Sequence, residues 1–181
     1  MVVIDATTLL LLIDAKAKPP RDPKTQKPLD KCKERLEFLI QTLTEAGTRV
    51  VVPAPVLSEL LVRAGDARGE FLSEITSTYA FVVAPFETKA AVELSFLLDA
   101  DLKPRRKKLG DQETWAKMKF DRQIIAIAKV SKVTTIYSDD ITLAAVARAN
   151  GIVVVHTWEL PLPPVKAQQE LEFPDDEKGR R

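Results

Sequence analysis

The chain has 181 residues, 45% of them apolar and 29% charged, with a net charge of +1. That length and apolar share suit one folded domain with a sizeable core. The near-neutral balance excludes a protein that holds polyanions by bulk charge, so any nucleic acid must meet local patches. The single cysteine, Cys32, excludes an intramolecular disulfide and fits a reducing compartment.

Val2-Val3-Ile4 has the β-branched composition of a buried parallel strand, and it ends at Asp5. No basic region precedes this run, so no signal peptide is expected. Thr7 or Thr8 is the expected cap of a helix carrying Leu9 to Ile13, a run far too short to cross a bilayer. These readings make the protein cytoplasmic, with no membrane partner. Residues 15–30 are rich in Pro and Lys and read as a surface loop. Asp30 is the expected N-cap of an amphipathic helix with Leu36, Leu39, Ile40 and Leu43 on one face, closed by Gly47.

A second strand, Arg49 to Val52, stops at Pro53, and Pro55 suits the first turn of a short helix through Arg63. Gly65 and Gly69 break the chain before a helix from Phe71 to Thr78, a strand from Ala80 to Ala84 and a helix from Glu87 to Leu98. A basic loop spans Leu102 to Gly110. A long helix from about Asp111 to Lys129 leads to a strand, Thr134 to Ser138, which ends at Asp139-Asp140. A helix from Ile141 to Asn150, closed by Gly151, and a strand from Ile152 to His156 complete the pattern. Strands alternating with helices predict an α/β fold, a parallel sheet flanked by helices on both faces, in a single domain. Residues 1–160 form that domain, and 161–181 read as a loose, Pro-rich and charged tail.

The chemical signal lies in a few acids. Asp5 and the Asp139–Asp140 pair fall at the C-terminal ends of strands, where open α/β sheets bind ligands. Each could also be a plain helix cap. Asp121 shares a helical stripe with Ile124, Ile125 and Ala128, which should face the core. Glu59 sits among Val56, Leu57, Leu60, Leu61 and Val62 in a helix expected to be largely buried. Burying a lone carboxylate costs several kcal/mol unless it is protonated or paired. Arg63, one turn on, is a candidate partner for Glu59; a shared divalent cation is the other solution. All-oxygen donors without accompanying Cys or His suit Mg²⁺ or Mn²⁺ and not zinc. His156 is the only histidine and reads as a strand-end residue, and no phosphate-cradling glycine loop is present.

In these residues the chain resembles the PIN-domain nucleases, and within them the VapC-type toxins of toxin–antitoxin pairs. The resemblance runs from Val2 to about Leu160. Its four motifs are Val2-Val3-Ile4-Asp5-Ala6-Thr7; Val51-Val52-Pro53 leading to Ser58-Glu59-Leu60; Phe120-Asp121-Arg122 opening the run to Ala128; and Ile136-Tyr137-Ser138-Asp139-Asp140. Each is weak alone, and their order and spacing carry the likeness. The Pro/Lys loop and the Lys103–Lys108 segment are longer than in small members, and Leu143 stands where an aromatic is frequent.

The resemblance implies a PIN-like fold and a ribonuclease, a hydrolase of RNA phosphodiesters, acting as a toxin. Asp5, Glu59, Asp121 and Asp140 would be catalytic and, with Asp139, would bind Mg²⁺ (or Mn²⁺). Thr7 and Ser138 would orient ligands or bound water through their hydroxyls. Lys103, Arg105, Arg106, Lys107 and Lys108, with Lys117 and Lys119, are the candidate RNA-binding cations, and Trp115 a candidate stacking surface. The implied partners are RNA, a small antitoxin protein and a second copy in a homodimer. Three other readings compete: a housekeeping RNA-processing or DNA-directed nuclease, a Mg²⁺-binding receiver-like signalling module, and a catalytically inactive binding protein.

Overall fold

The computed structural model describes residues 1–14, 17–105 and 112–164. Five short strands, β1 (Val2–Ile4), β2 (Val50–Pro53), β3 (Phe81–Ala84), β4 (Thr135–Tyr137) and β5 (Val153–Val155), form one sheet in the order β3-β2-β1-β4-β5. Every neighbouring pair is parallel. Residues such as Val3, Ile4, Val50, Val51, Val52 and Ile136 are almost wholly buried, as strands covered on both faces require. The order reverses at β1, so right-handed crossovers leave in both directions and place helices on both faces.

The helices are α1 (Ala6–Ile13), α2 (Cys32–Glu45), α3 (Ala54–Ala64), α4 (Arg68–Ser77), α5 (Thr88–Arg105), α6 (Gln112–Val130) and α7 (Ile141–Ala149). Leu36, Leu39 and Leu43 bury the predicted face of α2, with Ile40 packed beside them. Gly47 leaves that helix at φ +61°, and Gly151 follows α7 at φ +78°, the left-handed region that glycine enters without steric cost.

Several local expectations are corrected. Asp5, not Thr7 or Thr8, caps α1: its side chain accepts from the Thr8 backbone N–H, and the helix begins at Ala6. Lys31, in left-handed backbone, precedes α2 in place of Asp30 and caps nothing with its side chain. Gly69 does not break the chain but lies inside α4, while Gly65 ends α3. The expected basic loop from Leu102 is helical as far as Arg105, where α5 ends, and the rest of it lies outside the described residues. Leu, Lys and Arg are good helix formers, and proline disturbs chiefly the turn before it. Among the described residues no helix is long and apolar enough to cross a membrane.

The strand register positions the functional candidates. Ile4 pairs with Tyr137, so the next residues, Asp5 and Ser138, leave the sheet side by side. The Asp5 N–H donates to the Tyr137 carbonyl at 3.0 Å. They emerge between β1 and β4, where the strand order reverses and open parallel sheets form a crevice.

Candidate metal centre

A cleft of about 600 Å³ opens at this crevice, lined by Asp5, Thr7, Glu59, Arg63, Lys117, Asp121 and Asp140, with Phe120, Ile124 and Leu143 among its apolar walls. Four separate parts of the chain supply the acids: the end of β1, α3, α6 and the start of α7.

Asp5 is buried. Its Oδ1 accepts from the Thr8 N–H at 2.7 Å, and its Oδ2 accepts from the Ser138 hydroxyl. Burial pushes its pKa up to about 6, against these hydrogen bonds, which pull the other way. Cap and site residue, the alternatives posed by the sequence, are therefore one geometry: the Thr8 amide and the Ser138 hydroxyl that satisfy Asp5 also hold it at the cleft.

Asp121 is 5% exposed, on the same face of α6 as the buried Ile124, Ile125 and Ala128. Its Oδ2 is buried and has no hydrogen-bond partner among the described residues. Burial, and next the Asp140 charge, push its pKa up to about 6. Asp140 caps α7, accepting from the Thr142 and Leu143 N–H groups at 2.7 and 3.0 Å. Burial raises its pKa, but the Lys117 ammonium and these amides outweigh that and hold it below the ordinary carboxylate range. Lys117 reaches Asp140 Oδ2 at 2.9 Å from one turn before Asp121. The sequence places Lys117 beside the pocket, four residues before Asp121 on the same helical stripe, but does not show its partner.

Glu59 departs from expectation. It is not buried: its side chain is 30% exposed and pairs with Arg63 at 2.8 Å. The apolar neighbours misled because only Val56 and Leu60 of that helix are buried, while Val62 is 74% exposed. Glu59 still lines the cleft, facing it from α3.

The Asp139–Asp140 pair divides. Asp139 is not among the cleft-lining residues; its Oδ1 accepts from the Thr157 N–H at 2.7 Å, which ties β4 to the 3₁₀ turn Thr157–Glu159. Its charge is felt on both sides: after burial it is the next cause that pushes the Cys32 thiol up to about 11, and it also adds to the raised pKa of Asp5. Ser138 is fully buried and joins two cleft acids, donating to Asp5 and accepting from the Asp140 N–H at 3.1 Å. Thr7 is exposed at the rim.

His156 is buried behind Ser138. A carbonyl only accepts, so Nδ1 donates to the Ser138 carbonyl at 2.7 Å and Nε2 faces the Arg148 guanidinium at 3.1 Å. The ring stacks on Trp158 with centroids 4.4 Å apart. This histidine braces the strand end. Lys119 lies over the Trp115 ring at 5.3 Å and does not line the cleft. Of the proposed RNA-binding loop, Arg106, Lys107 and Lys108 lie outside the described residues, and Lys103 and Arg105 fall in the last turn of α5.

The donors suit a hard divalent cation: three aspartates at one crevice, one buried oxygen without a partner, and no thiolate or imidazole among them. Among the described residues no three such side chains already stand together as a ready ligand group. The reason is visible in their present partners. Asp5 is taken by Thr8 and Ser138, Asp140 by Lys117 and the α7 amides, and Glu59 by Arg63. Among the acids that line the cleft, Asp121 Oδ2 is the oxygen without a partner; outside the cleft lining, Asp139 Oδ2 is likewise buried and unpartnered among the described residues.

No protein-family model matches the sequence, and no curated protein matches it. Solved structures do match the fold. The VapBC2 structure from Rickettsia felis, bound to a DNA fragment from its promoter, superimposes with a TM-score of 0.57 at 13% identity, over 86% of this chain and 98% of that one. VapC20 of Mycobacterium tuberculosis, described as a sarcin–ricin loop cleaving toxin, does so with a TM-score of 0.52 at 13% identity, over 89% of this chain and all of that one. The four motifs, the parallel five-stranded sheet and these superpositions agree that this chain has the PIN-like α/β fold of the VapC toxins.

Proposed function

We propose that this protein is a Mg²⁺- or Mn²⁺-dependent ribonuclease and the toxin of a toxin–antitoxin pair. The observation that carries the proposal is Asp121: a buried carboxylate whose Oδ2 lacks a partner, in a residue that lines a cleft with Asp5 and Asp140. An unsatisfied buried anion beside two further carboxylates is costly unless a cation joins them. Asp5, Asp121 and Asp140 would hold the metal, with Glu59 at the open side. A bound divalent ion supplies an acidified water as nucleophile and offsets charge on the phosphate oxygens.

The chain's own residues do the rest. The Thr8 amide and Ser138 hydroxyl fix Asp5, and the α7 amides fix Asp140, so two of the ligands are aimed before anything binds. Arg63 and Lys117 line the same cleft and offer positive charge to a phosphodiester approaching an otherwise acidic pocket. RNA as substrate, a small antitoxin as partner and a homodimer are carried by the likeness to the VapC toxins, one of them described as cleaving the sarcin–ricin loop and another solved as a VapBC complex.

The receiver-like alternative loses ground on topology. Receiver modules order their strands 2-1-3-4-5, whereas β1 here lies between β2 and β4.

The test is cleavage of single-stranded RNA by purified protein with Mg²⁺ or Mn²⁺, beside the Asp121→Asn variant. Metal-dependent cleavage that the variant lacks supports the reading. Failure of folded protein to cleave RNA or bind metal would remove it.

A further inference from the structure

The cleft already contains a cation of its own. Lys117 Nζ lies 2.9 Å from Asp140 Oδ2, on the side chain that also raises the Asp121 pKa through its charge. The ammonium stems from α6 one turn before Asp121, so a single helix presents both the unsatisfied acid and the counter-charge of its neighbour. The Lys117 side chain is 62% exposed, against 27% for Asp140. The lysine therefore reaches in from solvent to a half-buried acid and can leave without repacking the core.

Asp140 has two oxygens with separate duties. Oδ1 accepts both α7 amides, and Oδ2 accepts Lys117. The capping oxygen is committed to the helix. The oxygen left for any ligand is the one Lys117 occupies.

From this we propose that Lys117 is a built-in competitor for the metal: its ammonium stands in for part of the divalent charge and must leave Asp140 Oδ2 before that oxygen can bind the ion. The inference rests on the metal-dependent reading above and adds a residue that sets the metal concentration at which the site fills. Once released, the ammonium stays at the cleft, tethered beside Asp121, available to the anionic substrate. An ammonium near a divalent site also repels the incoming ion, and that repulsion is screened by salt.

The experiment is calorimetric titration of full-length protein with Mn²⁺, comparing wild type, Lys117→Met and Lys117→Arg at low and high ionic strength. An exposed ion pair of this kind is weak, so the expected change is modest, about three- to ten-fold tighter Mn²⁺ binding in Lys117→Met. The gap should narrow at high salt, and Lys117→Arg should bind Mn²⁺ as weakly as wild type or more weakly. A merely structural lysine would not produce a charge-dependent, salt-sensitive gain of affinity. Equal affinity in all three proteins, or weaker binding in Lys117→Met, overturns the competitor role and leaves the metal site standing. No Mn²⁺ binding in any of them overturns both.

Discussion

At the end of β4 two consecutive aspartates do different work. Asp140 caps α7, meets Lys117 and lines the cleft, whereas Asp139 is bound to the Thr157 amide and belongs to the scaffold behind it. A similar contrast separates the two acids expected inside helices. Asp121 is buried with an unsatisfied oxygen, while Glu59 is partly exposed and already paired with Arg63. A carboxylate's residue type and strand-end or helical position are thus poor guides to its role. What separates Asp5, Asp121 and Asp140 from Asp139 is their place at the cleft and not the satisfaction of their oxygens, since Asp139 Oδ2 is buried without a partner just as Asp121 Oδ2 is.

The contrast can be broken most forcefully at Asp121. Asp121→Asn or Asp5→Asn should lower metal-dependent RNA cleavage by more than about 100-fold, beyond the 10- to 100-fold typical of losing a residue that only supports a ligand. Circular dichroism should show the fold intact.

A second prediction concerns pH. The folded pKa values of Asp5 and Asp121 are raised to about 6 from 3.8. The folded protein therefore binds these protons more tightly than the unfolded chain. The associated stability is fully present below about pH 3.8 and is lost as pH rises through about 6. For Asp5 alone the loss is at most ~3 kcal/mol. Thermal melts without metal should show these groups lowering Tm between pH 5 and pH 8, and Mg²⁺ or Mn²⁺ should recover much of the drop at pH 8 but little at pH 5. A metal effect that is equal at both pH values would contradict the assignment.

Ser138→Ala sharpens the comparison from the supporting side. It removes the hydroxyl that joins Asp5 to the Asp140 amide, and should cost about 10-fold in cleavage with weaker metal binding. Glu59→Gln should have the smallest effect of the set, a few-fold in single-turnover rate, because Glu59 is partly exposed and its charge is already shared with Arg63. A loss as large as that of Asp121→Asn would move Glu59 into the centre of the site.

Much of this molecule was legible in its residues. β-branched runs marked all five strands, since a parallel sheet covered on both faces admits little else. Asp121 was legible because a charged residue broke an apolar helical stripe. The signals failed where a side chain's partner lay outside its own segment. The bond from Asp139 to Thr157, 18 residues on, has no local signature, and neither has the pairing of Lys117 with Asp140. Glu59 was misjudged because apolar residues all round a short helix suggest burial, yet Val62 faces outward. The cap of α1 was displaced by two or three residues because Asp and Thr are both good caps and the choice is made by Asp5's place beside β4.

The most direct measurement compares Asp139→Asn with Asp140→Asn in single-turnover, Mg²⁺-dependent cleavage of single-stranded RNA. The two changes remove one charge each from adjacent residues, and asparagine can keep both the Thr157 contact and the α7 cap. The account predicts that Asp139→Asn cleaves within about three-fold of wild type while Asp140→Asn loses more than about 100-fold. Equal losses, or the larger loss at Asp139, would contradict a site centred on Asp5, Asp121 and Asp140.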